Sequence, residues 1–121
     1  MQYLLLIYDS EAVWMKMSQA EQGKMYEEYM KFTTDIKDSG NHLAGQQLQP
    51  ISAATTVRVR DGKRLTTDGP FAETKEQLGG FYMIEAKNLD EAIEIASRIP
   101  SAKVGSIEVR PLVVHGQAAN G

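Results

Sequence analysis

The sequence predicts an α+β domain in which two helices cover one face of a mainly antiparallel sheet. Two segments repeat apolar residues at helical spacing, and short apolar or alternating segments typical of strands separate them. Glycine, proline and aspartate mark the boundaries between segments. A chain of 121 residues with 42% apolar and 24% charged residues has room for one domain with a hydrophobic core.

The first part of the chain predicts a strand, a helix and a second strand. Residues 3–8 form a short aliphatic and aromatic run, which is typical of a buried strand. Ser18 and Glu21 form the capping-box pattern that begins a helix, and Gly40 ends it. Residues 42–48 form a weaker strand. The apolar face of the helix consists of Met25, Tyr29, Phe32 and Ile36.

A β-hairpin is predicted in the middle of the chain. Residues 56–60 alternate strictly between polar and apolar side chains. Asp61-Gly62 is a strong signal for a two-residue turn, after which residues 63–67 return as the second strand. The alternation indicates that one face of this hairpin is in contact with water.

The last part of the chain predicts a strand, a helix and a final strand. Residues 79–86 form an apolar strand, and Asn88 or Asp90 can cap the helix that follows. Residues 106–114 supply the last strand, and we expect residues 115–121 to be a flexible tail.

The order of these elements is β-α-β-hairpin-β-α-β, which is the split β-α-β plan of ferredoxin-like folds. We therefore expect residues 1–114 to form a single domain of this class. Two helices can cover only one face of the sheet, yet both faces of residues 3–8 and of residues 81–84 are apolar. A large uncovered apolar face is uncommon on a monomer. The sequence therefore predicts a homodimer whose sheets pack face to face.

Charge and composition restrict the function. A net charge of -3 and a pI near 5.4 provide no basic surface that would attract a nucleic acid, so we expect no direct contact with one. The chain has no cysteine, which excludes disulfides, a thiolate nucleophile and sulfur-ligated metal sites, and which fits a reducing cytoplasm. No stretch approaches the ~20 apolar residues of a membrane span. We expect no membrane contact, no metal and no cofactor.

The segment TTDGPFAETKEQLGG, residues 66–80, is dense in turn formers, carboxylates and hydroxyls. Asp68 begins a constrained turn. If the segment lies over the sheet, Glu73 and Glu76 can converge on a pocket with Lys75 as their counter-charge, which would give a hydrogen-bonding or acid–base site. A solvated loop with local ion pairs explains the same residues.

Two further carboxylates, Asp9 and Glu11, follow the first strand. At that spacing they could serve acid–base chemistry or bind a cation, although the polarity of a connecting segment explains them equally well. His42 could be a pocket base or a metal ligand, but no cysteine or second histidine lies near it in the sequence, so a structural or exposed role is favoured.

The block DGPFAETKEQLGGFY at residues 68–82 resembles the DGPF-type branch of the YCII-related family, as do MQYLLLIYDSEAVW at the N-terminus and IEVRP at residues 107–111. The resemblance spans residues 1–114 and implies a dimeric α+β barrel. Genes of this branch often lie beside genes for extracytoplasmic-function sigma factors, which implies a functional link to a sigma factor. The resemblance also implies a pocket whose rim is formed by Asp68, Gly69, Pro70, Phe71, Glu73, Thr74 and Lys75.

The chain departs from the wider family at one position. The resemblance implies a catalytic dyad of a histidine on the first helix and an aspartate. Counting back from Gly40 places Tyr29 roughly where that histidine would be, and His42 and His115 lie outside the helix. The dyad is therefore not carried over to this chain.

These observations predict a cytoplasmic homodimer that binds a small molecule in a pocket rimmed by residues 68–75. If the protein is an enzyme, cofactor-free proton transfer, isomerisation or a lyase-like step is compatible with carboxylates at Asp9, Asp68 and Glu73. The alternative is a non-catalytic ligand-binding or interaction module that works with an extracytoplasmic-function sigma factor. Cofactor-free oxygen chemistry is a third hypothesis, and it depends on fold analogy alone.

Overall fold

The computed structural model describes residues 1–115, in which it places six strands, three α-helices and two 3₁₀ turns. Of the tail predicted at residues 115–121, only His115 lies within the described residues. The strands are β1 (Gln2–Asp9), β2 (His42–Gln47), β3 (Thr55–Arg60), β4 (Lys63–Asp68), β5 (Gln77–Glu85) and β6 (Ser106–Pro111). The helices are α1 (Glu11–Lys16), α2 (Gln19–Asp38) and α3 (Leu89–Ser97), and the 3₁₀ turns are Ile51–Ala53 and Pro100–Lys103.

Four strands form one antiparallel sheet in the order β2-β5-β1-β6, and β3 pairs only with β4 in a separate two-stranded sheet. Without the hairpin, the main elements follow the order β-α-β-β-α-β along the chain. The predicted α+β class with an inserted hairpin is therefore confirmed. None of the helices in residues 1–115 combines the length and the apolar content that a membrane span requires.

A β-bulge interrupts the pairing of β1 with β5 near one end of the sheet. Ile7 lies opposite Gly80, whereas the next residue, Tyr8, lies opposite Leu78. Gly79 is therefore an extra residue in β5, and the register of the two strands shifts by one beyond it.

The hydrophobic core lies between one face of the four-stranded sheet and the helices. In β1, Tyr3, Leu5 and Ile7 are buried, while Leu4 and Leu6 between them are only half-buried because successive side chains point to opposite faces. Each fully buried aliphatic side chain contributes about 1.5–3 kcal/mol. The core consists of Tyr3, Leu5, Ile7, Phe32, Ile36, Tyr82, Ile84, Ala86, Ala92, Ile95, Ala96 and Ile99. We call the opposite set the second sheet face: Leu4, Leu6, Tyr8, Phe81 and Met83.

Helix α2 begins and ends where the sequence predicts. Ser18 Oγ accepts a hydrogen bond from the Glu21 backbone N–H at 3.1 Å, and the Glu21 carboxylate accepts one from the Ser18 N–H at 3.0 Å. The predicted capping box is thus confirmed. Gly40, with φ of 80°, reverses the chain just after the helix.

Helix α3 is capped by Asn88 rather than Asp90, since the Asn88 side chain accepts a hydrogen bond from the Glu91 N–H at 3.0 Å. Helix α1 was not predicted. It has six residues and is capped by Ser10, whose hydroxyl accepts a hydrogen bond from the Val13 N–H at 3.2 Å.

Strands β3 and β4 form a hairpin that we call the β3–β4 arm. Asp61 and Gly62 occupy the turn with φ of 53° and 72°, so the predicted two-residue turn is confirmed. Apart from Thr56, which is half-buried, every residue of the two strands is exposed. The arm is therefore open to solvent on both of its faces.

Candidate functional site

A hydrogen-bonded cluster joins β1, α2 and the turn Pro100–Lys103. Ser101 Oγ donates to Asp9 Oδ2 at 2.6 Å, and Tyr29 Oη lies 2.5 Å from Ser101 Oγ. The Ser101 hydroxyl has a single proton and gives it to Asp9, so the Tyr29 hydroxyl donates to Ser101. The three side chains, which we call the Asp9 cluster, form a chain of donors that ends on a carboxylate.

The fold places each member of the cluster for a local reason. Asp9 is the last residue of β1, and its position in the alternation puts it on the helix side of the sheet. Tyr29 belongs to the apolar face of α2 and packs against the core. Ser101, which is only 1% exposed, follows the proline at which the second 3₁₀ turn begins.

The second carboxyl oxygen of Asp9 has no hydrogen-bond donor. Asp9 Oδ1 is buried, and no group within residues 1–115 donates to it. A buried carboxylate oxygen without a donor is costly, so such an atom favours a donor that a bound molecule or a water supplies. The Asp9 cluster therefore has one oxygen held in place and one available as an acceptor.

Gly105 permits the close approach that forms the cluster. A Cβ atom at this position would lie 2.1 Å from the Tyr8 carbonyl oxygen and 3.1 Å from Asp9 Oδ1. The Gly105 N–H also donates to the Ser101 carbonyl at 2.7 Å, which folds the turn back toward β6. A glycine is therefore needed here to bring Ser101 beside Asp9.

The surroundings keep the Tyr29 phenol protonated. Burial, reinforced by the negative charge of Asp9 and by Tyr82 and opposed by the hydrogen bond with Ser101, raises the pKa of Tyr29 to about 12. Burial likewise raises the pKa of Tyr82, although the hydrogen bond between its hydroxyl and Thr33 at 2.6 Å opposes the shift. Tyr29 thus acts in the cluster as a neutral donor.

The predicted loop, residues 68–75, lies on the surface. Asp68, Pro70, Ala72, Glu73, Thr74 and Lys75 are exposed, Gly69 is half-buried, and the Phe71 side chain is 78% exposed. Gly69 has φ of 92°, and its N–H donates to the Ala54 carbonyl at 2.7 Å, so a glycine suits this turn. No ion pair within residues 1–115 involves Asp68, Glu73 or Lys75.

The end of the loop reaches the same end of the sheet as Asp9. Gln77 lies opposite Asp9 in the β1–β5 pairing. The Gln77 side chain donates to the Thr74 carbonyl at 2.6 Å and accepts from the Glu11 N–H at 2.9 Å. Glu11, a predicted candidate, in turn accepts from the Ile51 N–H at 3.0 Å and so has an anchoring role. The topology therefore brings the loop near Asp9, but no hydrogen bond described for residues 1–115 joins Asp68 or Glu73 to it.

Two clefts lie elsewhere on the surface. One, of about 500 Å³, is at the opposite end of the sheet, and the other, of about 230 Å³, lies between α2 and the end of α3. Neither includes a residue of the loop 68–75 or of the Asp9 cluster.

His42 packs edge-on against Tyr82 with ring centroids 6.1 Å apart. Within residues 1–115, no three or more His, Cys, Asp or Glu side chains are grouped to hold a metal ion.

Sequence reasoning identified Asp9, and it noted Tyr29 as part of the apolar helix face and as the residue that replaces a histidine. It missed Ser101, which is 92 residues from Asp9 along the chain. The only local signal is its position after Pro100, and a serine after a proline is equally typical of an exposed turn.

Comparisons with known proteins agree with this fold. Residues 1–115 match the YCII-related domain. An uncharacterized protein of Rhizobium meliloti (strain 1021) is 38% identical over 117 residues, which cover 95% of this chain and 94% of that protein. A similar structure is 5-chloro-2-hydroxyhydroquinone dehydrochlorinase (TftG) from Burkholderia phenoliruptrix AC1100 in complex with 2,5-dihydroxybenzoquinone, with a TM-score of 0.54, 17% identity and 98% of each chain covered. That structural likeness concerns the fold, whereas the domain match and the bacterial relative show that this chain belongs to the YCII-related family.

Proposed function

We propose that the protein binds a small molecule at the Asp9 cluster, with the loop 68–75 as the rim of the site, and that the cluster performs acid–base chemistry without a cofactor. The observation that carries the proposal is the buried Asp9 Oδ1, which no group of residues 1–115 satisfies. A hydroxyl or amine of a bound molecule is a donor of the kind that this oxygen accepts.

The three side chains have separate roles in this proposal. Asp9 accepts a proton from the bound molecule through Oδ1 and returns one to the product. Ser101 holds Oδ2 and so fixes the direction of the free oxygen. Tyr29 fixes the Ser101 hydroxyl and stays neutral, because its pKa is raised to about 12.

The loop would approach this site through Gln77, which lies opposite Asp9 and bonds to the Thr74 carbonyl. In this proposal Asp68, Glu73 and Lys75 contact the bound molecule from the solvent side, where their charges are exposed. The catalytic roles that the sequence predicts for Asp68 and Glu73 remain predictions.

The test is a thermal-shift and calorimetric titration with hydroxylated aromatic compounds. The similar dehydrochlorinase was obtained with 2,5-dihydroxybenzoquinone, so this compound is the first probe. A ligand at 100 times its dissociation constant adds about 2.7 kcal/mol to the unfolding free energy. We expect Asp9→Asn to remove this gain and Tyr29→Phe to weaken it, since each variant changes the cluster with little change in volume.

The matched control is Tyr26→Phe, which removes an exposed phenol one turn earlier on the same helix. This variant should bind like the parent. Ligand binding and turnover that persist undiminished in Asp9→Asn would contradict the proposal.

We also propose that two copies pack their second sheet faces together and form the dimeric α+β barrel. The half-buried Leu4, Leu6, Tyr8, Phe81 and Met83 lie on the side that the helices leave uncovered, which supports this arrangement. A cytoplasmic location remains a prediction that the absence of cysteine favours.

A second candidate function is that of an interaction module without catalysis. Apolar side chains on α1 and α2 favour it, since Val13, Met15 and Met30 are 57%, 80% and 71% exposed. The link to an extracytoplasmic-function sigma factor belongs to this candidate. Loss of partner binding in Met15→Lys, with ligand binding intact, would support it.

A further inference from the structure

The β3–β4 arm presents apolar side chains to solvent. Val57 and Val59 are 58% and 62% exposed, and Leu65 on the return strand is 49% exposed. A two-stranded hairpin that packs on nothing is marginally stable in water. The arm therefore has a physical reason to be covered by another surface.

One face of the arm carries both valines. Val57 lies opposite Thr66, and Val59 lies opposite Arg64, so these four side chains share one face. Leu65, opposite Arg58, lies on the other face. We call the first set the valine face.

The arm and the remainder of the chain have opposite charge. Arg58, Arg60, Lys63 and Arg64 take part in no ion pair within residues 1–115. Residues 55–68 contain these four cations and two carboxylates, which leaves nine of the 13 cations and 14 of the 16 carboxylates in the rest of the chain. Three of these cations, Arg58, Arg60 and Lys63, lie on the same face as Leu65. The valine face carries Arg64 and Asp68 and so has no net charge, which suits it to contact with an apolar surface.

The area of the sheet also favours an additional contact. A four-stranded sheet about six residues long measures roughly 19 Å by 20 Å, or about 400 Å². A standard stable interface buries about 800 Å² per partner, so the second sheet face alone is small for a lasting dimer. One face of the arm, with two strands of six residues, adds roughly 200 Å².

We infer that the β3–β4 arm is a clasp between subunits that packs its valine face on a second copy of this chain. The inference rests on the homodimer proposed above. The arm leads directly into the loop 68–75, so the clasp also ties the rim of the proposed site to the assembly.

The test is the double variant Val57→Thr/Val59→Thr, measured by sedimentation equilibrium. Threonine keeps the β-branched shape and the strand preference of valine, so the hairpin itself is preserved. We expect the dissociation constant of the dimer to rise by at least about tenfold, because two apolar contacts are lost on each subunit. The matched control is Leu65→Thr on the opposite face, which should change the dissociation constant by less than about threefold.

A second measurement makes the assignment direct. In a sample that mixes isotope-labelled and unlabelled chains, filtered nuclear Overhauser spectra should connect the Val57 and Val59 methyl groups to the other subunit. The Leu65 methyl groups should show no such contacts. A dimer that is unaffected by the double variant and lacks these contacts would overturn the clasp and leave the homodimer intact. A parent protein that sediments as a monomer would overturn both.

Discussion

Because of the Tyr29 phenol, the unfolding free energy of the protein should change with pH in the alkaline range. The pKa of Tyr29 is about 12 in the folded state and 10.0 as the ordinary value, so the folded state retains a proton that the unfolded chain loses. The resulting stabilisation is fully present below pH 10 and is lost as the pH rises to about 12. We expect Tyr29 to contribute about 1–2 kcal/mol to the unfolding free energy in this way, after allowance for the partial exposure of its side chain.

Urea unfolding of the parent and of Tyr29→Phe between pH 8 and pH 12 checks this prediction. The variant should show a shallower fall of the unfolding free energy above pH 10, with a residual slope from Tyr82. Tyr26→Phe should retain the slope of the parent. Equal slopes in the parent and in Tyr29→Phe would contradict the protonation state assigned to the cluster.

Gly105 and Gly23 predict opposite responses to the same substitution. Gly105→Ala places a Cβ atom 2.1 Å from the Tyr8 carbonyl oxygen, so we expect a loss of at least about 2 kcal/mol of unfolding free energy. Gly23 lies within α2, and a Cβ atom added there would meet nothing within 4 Å apart from the adjoining backbone of the helix, so Gly23→Ala should gain about 0.5–1 kcal/mol. Chemical denaturation measures both. If Gly105→Ala left the unfolding free energy unchanged, the turn would have to move away from Asp9 at little cost.

At the scale of single residues, the site could be predicted only in part from the sequence. Asp9 follows a recognisable strand, so its candidacy was visible in the sequence. Ser101 and Gly105 were not, because their roles depend on contacts with residues more than 90 positions away. No local pattern encodes such a contact, since polar turns with serine and glycine are common on protein surfaces.

At the scale of elements, the capping box of α2 should contribute measurably to stability. Ser18→Ala removes the side-chain acceptor of the Glu21 N–H and should cost about 1 kcal/mol of unfolding free energy. Gln19→Ala, at the neighbouring exposed position, is the control and should change it by less than about 0.5 kcal/mol. Thermal unfolding measures the difference. Equal Tm values for the two variants would contradict the prediction.

Elements with local signals were predicted well. The helix start at Ser18 and the hairpin turn at Asp61-Gly62 are encoded in adjacent residues, and both are confirmed. Helix α1 was missed because six residues are too few for a helical period to emerge. The separation of the β3–β4 arm from the main sheet depends on tertiary pairing, which alternation alone does not determine.

At the scale of the whole molecule, the second sheet face predicts how subunits associate. Leu6 lies on this face, opposite Phe81 on one side and Glu108 on the other. Leu6→Glu would bury an unpaired carboxylate in the proposed interface, which costs several kcal/mol. We expect the variant to sediment as a folded monomer, because Leu6 lies outside the core.

The control for this variant is Ile93→Glu, at a side chain that is 50% exposed on α3. It should sediment like the parent, since the helices lie on the other side of the sheet. If Leu6→Glu remained dimeric, the subunits would have to meet through a different surface, and the proposed barrel would be wrong.

The extra glycine in β5 has one more consequence. Side chains alternate along a strand, so an unbroken pairing of β5 with β1 would place Leu78 opposite Asp9. Because Gly79 bulges out and has no partner in β1, Gln77 lies opposite Asp9 instead. The bulge therefore decides whether Asp9 lies opposite an aliphatic side chain or opposite the amide that anchors both α1 and the acidic loop.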